Sequence, residues 1–145
     1  MADAYTRRTM QAVLGLTVVY TIYPVVGGAV IAGTVVTSDA SAYGAVKELI
    51  AANAITTEYW VCAADFDTAG AAQLFRVEIG TGAAGVYTTS RMEVQLDVTA
   101  VTVNLSRFMV GPYPARVAPN TQLVARATGT AAKVIGVSTT IATGL

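Results

Sequence analysis

The span from Val77 to Thr89, VEIGTGAAGVYTT, sets three glycines and two alanines directly after a strand-like run. Residues of this type at this spacing could cradle a phosphate, so the span is the first candidate for chemistry. A Walker loop needs a lysine and a hydroxyl residue after its last glycine, for the β/γ-phosphates and for magnesium. Here Gly85 is followed by Val86 and Tyr87. A dinucleotide fingerprint needs a helix after the glycines to aim its N-terminus at the pyrophosphate. VYTTSRMEVQL is instead rich in β-branched residues and reads as a strand. The expectation is a long hairpin turn in which Gly80, Gly82 and Gly85 supply backbone with positive φ.

The other chemistry-bearing residues form no known constellation. The chain has no histidine, which removes the commonest general base, the commonest metal ligand and every Ser-His or Cys-His pair. Asp65 and Asp67 in ADFDTAG could share a calcium ion or simply cap a turn, and the EF-hand spacing fails: the loop counted from Asp65 ends on Arg76, and the loop counted from Asp67 reaches Glu78 but has Ala69 and Ala71 at its third and fifth positions. Glu48, Glu58, Glu78 and Glu93 are scattered, and the single Cys62 in EYWVCAA reads as a small buried thiol. The triplet NLS at Asn104 matches a glycosylation acceptor, a pattern frequent by chance. The expectation is therefore no catalytic, cofactor-binding or metal-ligating residue and no cofactor. The seven tyrosines outnumber Phe and Trp together. Tyr5, Tyr43, Tyr59 and Tyr113 fall near segment edges, where a rim of rings could stack on sugars or anchor an interface, or could pack with the hydroxyl left wet.

Composition narrows the class. Of the 145 residues, 54% are hydrophobic and 12% charged, against about 25% charged in an average soluble domain. So little charge calls for cover from a bilayer or from neighbouring chains. The formal net charge is zero, so no general attraction to nucleic acid or anionic lipid is encoded. Thr9 to Ser38 carries no charge and follows Arg7 and Arg8, as a membrane anchor would. Pro24, Gly27 and Gly28 interrupt it, and it reads better as two strands, VLGLTVVYTIY and AVIAGTVVT, around a PVVGG turn. A chain beginning at Met1 is expected to have lost no leader.

The elements that must position these residues are mostly strands. Residues 1–10 read as a polar arm and residues 11–145 as one domain. ASAYGAVKELIAANAITT is ambiguous: Ala45, Leu49 and Ala52 would share one helical face. EYWVCAADF and AQLFRVEIG follow, separated by a DTAG turn. In TSRMEVQLDV, Met92, Val94 and Leu96 alternate with Arg91, Glu93, Gln95 and Asp97, as a half-buried strand requires. TAVTVNL, SRFMVGPYPARV, TQLVARAT and AAKVIGVSTTI complete an all-β sandwich or barrel pattern.

FRVEIGTGAAG, followed later by GPYPARVAPNTQLVARATGT and one more strand, resembles small structural proteins of tailed-bacteriophage virions. The likeness covers residues 74–145 and rests on Tyr113, Pro114, Val117, Pro119, Asn120 and Leu123 to Arg126. The chain departs from the pattern at Thr121 and Gln122, where a small residue and an arginine would stand. The resemblance implies a jelly-roll-like β-sandwich on the capsid surface without catalysis. That is a decoration or cement protein, homo-oligomeric and by analogy trimeric, bound across subunits of the major capsid protein. Tyr5, Arg7 and Arg8 on the arm, with Tyr113 and Arg126, are the expected contact residues, the arm being either a strap or an ordinary frayed terminus. No nucleic acid or membrane partner is expected. A tail or neck subunit and a carbohydrate-binding module are the alternatives.

Overall fold

In QLFRVEIG, Phe75, Val77 and Ile79 alternate with Arg76 and Glu78, the period of two that gives a strand one apolar face. In the computed structural model this segment is β5 (Gln73–Ala83), and all three apolar residues are buried to 1% exposure or less. The structure describes residues 18–24, 34–68, 73–83, 85–98, 108–110 and 115–144. The other strands are β1 (Val19–Tyr23), β2 (Thr34–Ala40), β3 (Lys47–Ile50), β4 (Tyr59–Thr68), β6 (Val86–Val98), β7 (Phe108–Val110), β8 (Ala115–Val117), β9 (Leu123–Gly129) and β10 (Lys133–Thr143). Among the described residues there is no helix, and the chain is all-β.

The strands form one hydrogen-bonded sheet with two wings. In one wing β10 lies between β4 on one side and β1 and β2 on the other, and β4 pairs onward with β7 and β8. The other wing runs β6, β5, β9, with β3 against the far side of β9. Strand β2 joins the wings. Its first residues run antiparallel to β10, and Asp39 and Ala40 then run parallel to Thr128 and Gly129 of β9. The inner faces close on one core. Val36, Tyr59, Val61, Phe66, Ile135, Val137 and Ile141 from the first wing meet Leu49, Ile50, Phe75, Val77, Ile79, Leu123 and Ala125 from the second.

Several expectations change on contact with this core. The segment with the helical face at Ala45, Leu49 and Ala52 contains no helix: Lys47–Ile50 is β3, because Leu49 and Ile50 are buried only when the backbone extends along β9. The turn placed at DTAG does not begin at Asp67, since β4 continues through Thr68. Where the structure describes the uncharged N-terminal stretch, it is strand, in β1 and β2, and among the described residues no helix is long and apolar enough to cross a membrane. The arm, residues 25–28 of the PVVGG turn, TAVTVNL and Asn104 lie outside the described residues.

The glycine span is a tight hairpin rather than a long turn. Ala83 pairs with Val86, and only Gly85 of the three glycines has positive φ, at 85°. Gly80 and Gly82 lie within β5 for another reason: a Cβ at Gly82 would overlap the Val86 carbonyl, and one at Gly80 would meet the Thr89 carbonyl and the Tyr87 ring. The two causes separate by substitution. Gly85→Asn, which tolerates the left-handed region, is expected to retain stability, whereas Gly85→Ala loses about 1 kcal/mol. Gly82→Ala and Gly82→Asn should both lose about 1–3 kcal/mol, because the hairpin must open to admit either. Urea denaturation of the four variants reads the difference.

Candidate functional site

The residues expected at a contact surface separate at once. Tyr5, Arg7, Arg8 and Tyr113 lie outside the described residues, while Arg126 is at the centre of the most elaborate polar cluster in the structure. Its position follows from strand alternation. In β9, Leu123, Ala125 and Ala127 enter the core, so Arg126 stands on the opposite face. Register places it beside Glu78 of β5, and Glu78 in turn beside Glu93 of β6.

Glu78 is 7% exposed, which is costly for a carboxylate without partners. Arg126 supplies two contacts to one oxygen, Nε at 2.7 Å and Nη2 at 2.6 Å from Oε2. The Tyr43 hydroxyl donates to Oε1. The guanidinium is sandwiched between the Tyr43 and Tyr87 rings, 3.9 Å from each centroid, so cation–π attraction adds to the ion pair. Tyr43 arrives on the loop between β2 and β3, which is hung on β9 by Ser41 N–H to Gly129 O at 3.2 Å and Gly44 N–H to Ala127 O at 2.8 Å. Tyr87 arrives from β6, its ring filling the space over Gly80.

Burial by itself would raise the Glu78 pKa. The hydrogen bonds from Tyr43 and Arg126 and the charges of Arg126 and Arg76 outweigh it and hold the carboxyl below its ordinary value. Burial pushes the Tyr43 hydroxyl up, helped by its bond to Glu78. Both groups are thus held in one state at neutral pH, a carboxylate and a neutral phenol. Their donors and acceptors serve each other, so the cluster is a clasp between a loop and two strands.

Beside the clasp, Leu74, Arg76, Gln95, Thr128 and Thr130 line a shallow open depression of about 220 Å³. That is below the range of about 300–1,000 Å³ usual for small-molecule sites. Arg76 spans both regions, 3.2 Å from Glu93. The remaining candidates are apart from one another. Glu48 accepts from Gln122, Glu58 pairs with Arg116, and Asp65 lies on β4 opposite Ser138. Among the described residues no group of three or more His, Cys, Asp or Glu is placed to hold a metal ion. Cys62 is half-buried, its Sγ 3.6 Å from the Trp60 carbonyl, and burial raises its pKa. Tyr59, expected at a rim, is fully buried with its hydroxyl 3.0 Å from the Thr121 carbonyl.

Sequence reasoning singled out Arg126 and Tyr43 separately and missed their meeting with Glu78 and Tyr87. The available signal was opposite charge at Glu78 and Arg126, each interrupting an apolar strand. Compared with known proteins, the chain matches no family model and no curated protein.

Removing one partner of a buried pair strands the other. Arg126→Ala is expected to cost about 3 kcal/mol in urea denaturation, the low end for such pairs because Arg126 keeps 27% exposure. Arg126→Lys should fall between, since an ammonium loses the flat stack and the second contact. Because the folded pKa of Glu78 is depressed, its contribution is complete above the unfolded carboxyl pKa and disappears as pH falls through the folded value. The stability gap between the parent chain and Glu78→Gln should therefore close below about pH 4. A gap independent of pH would show that the carboxylate charge is not what the clasp uses.

Proposed function

We propose that the chain is a structural subunit of a virion, a capsid decoration or cement protein that binds across major capsid subunits as a homo-oligomer. The curled sheet is read as a jelly-roll-like sandwich whose task is to present surface. One observation carries the reading: four exposed apolar side chains on β10 and on the two strands, β1 and β2, that pair with one side of it. On the face of β10 away from the core stands Val134, 40% exposed, and the register sets Val35 beside Gly136, Ile22 beside Thr140 and Tyr20 beside Ala142. Val35, Ile22 and Tyr20 are 45%, 44% and 61% exposed. In a chain with 12% charged residues, such a group suits a permanent interface. Binding that occurs only on the assembled shell would stabilise that shell by mass action. The sugar-platform alternative loses support, because the Tyr43 ring is stacked on Arg126 and Tyr59 is buried.

The test is co-sedimentation of the purified chain with empty expanded capsids and, separately, with isolated tails. Retention on capsids at a fixed ratio is expected, and Ile22→Asp together with Val35→Asp should weaken it at least about tenfold with little change in folding. Retention on tails in place of capsids would move the subunit to the tail or neck. A chain that ignores both would overturn the structural reading.

A further inference from the structure

Strand β1 reads VYTIY, with no charge, proline or glycine in it. Among the described residues it pairs only with β10, and that ladder sets Val19, Thr21 and Tyr23 beside Thr143, Ile141 and Thr139 without a register shift. Ile141 belongs to the core and Tyr23 packs against the core, so these three residues take the inner side of β1. Tyr20 and Ile22 take the outer side. Both sides of the strand meet solvent. Tyr20 and Ile22 are exposed, and Val19, an apolar residue on the inner side, is left 50% exposed by its own chain. Sheet edges are ordinarily protected from further pairing by charges, prolines or bulges, and the five residues of β1 carry none of these.

We propose that a second copy of this chain adds antiparallel to β1, about a two-fold axis at Thr21. The argument is the fit of the strand to its own reverse, judged on the five side chains just placed. Thr21 stands opposite its counterpart, Tyr20 opposite Ile22 and Val19 opposite Tyr23. The axis makes each unlike pair occur twice. Every pair is of a kind that stabilises an antiparallel ladder, threonine with threonine or an aromatic ring with a β-branched side chain, and no charge falls opposite another. The Tyr23 ring of the second copy comes beside Val19 and covers the inner residue that one chain leaves half in water. On the outer side, Tyr20 and Ile22 of both copies form one apolar row. Moving the axis by one residue spoils the fit. An axis at Ile22 sets Tyr20 opposite Pro24, which has no N–H to give, and an axis at Tyr20 sets Ile22 opposite Val18, beyond the strand. In both, Val19 loses Tyr23 as its neighbour. The contact is isologous and two-fold, unlike the threefold contact that the resemblance implies.

The inference rests on the homo-oligomeric part of the function proposed above and on no other part, so its test needs no capsid. Sedimentation equilibrium of the purified full chain should give twice the 14.9 kDa chain mass at micromolar concentration. An axis at Thr21 sets that residue opposite itself, at the Cα separation of about 4.5–5.5 Å that a disulfide spans. With Cys62→Ala as background, Thr21→Cys should therefore oxidise to a covalent dimer. Val19→Cys, offset along the ladder from its own counterpart, should not. A pair of double variants reads the register through charge. Tyr20→Lys with Ile22→Lys sets lysine opposite lysine twice, whereas Tyr20→Lys with Ile22→Glu sets lysine opposite glutamate twice. The first should have a dimer dissociation constant about tenfold or more above the second. A monomeric parent, an oligomer of another mass, cross-linking as ready at Val19 as at Thr21, or equal dissociation constants for the two double variants would each overturn the pairing. A dimer that ignores capsids and tails would overturn the virion reading alone, and a monomer retained on capsids would overturn the pairing alone.

Discussion

A carboxylate withdrawn from water must be given partners, and the partners of Glu78 organise the outer face of the β5–β9 wing. Arg126 reaches it from the neighbouring strand, Tyr43 from the β2–β3 loop, and Tyr87 closes the stack from the hairpin strand. Three separate parts of the chain are thereby tied to one carboxyl group. The loop that brings Tyr43 also carries the crossing from β2, which pairs with β10, to β3, which pairs with β9. The clasp thus adds to the join that β2 already makes by pairing with both β10 and β9. The cluster gains from both charge and stacking, so its worth exceeds that of an exposed ion pair such as Arg76 with Glu93.

Among the described residues, the outer face of the β10 wing has no comparable network. Along β10 the outward residues are apolar or small, and the sheet presents Val134, Val35, Ile22 and Tyr20 to solvent. The contrast is physical. One face pairs a buried carboxylate with a guanidinium and two tyrosines, while the other exposes aliphatic and aromatic side chains. A protein arranged in this way suits a place where other chains complete its cover.

How much was legible beforehand depended on whether the signal was local. The alternation in QLFRVEIG and in RMEVQLD identifies β5 and β6 with no tertiary information, because side chains in a strand must alternate between faces. The absence of a lysine after Gly85 argued against a Walker loop, and the strand-like run after it against a dinucleotide fingerprint. The short KELI segment was not legible: its spacing suits a helix about as well as a strand, and only pairing with β9 decides between them. Gly80 and Gly82 were misread for the same reason. A glycine required by a neighbouring strand's carbonyl looks the same in sequence as one required by positive φ.

By itself the sequence determined the class, an all-β chain poor in charge and without histidine, since alternation, turn residues and composition are properties of the residues alone. Only the tertiary structure decided that Glu78, Arg126, Tyr43 and Tyr87 form one cluster, because strands distant in sequence had to be set in register first. The same is true of the exposed apolar residues on β1, β2 and β10, and of the place of β6 at the end of its wing among the described residues. Which face is outward and which strand is last are settled by how the sheet closes on its core.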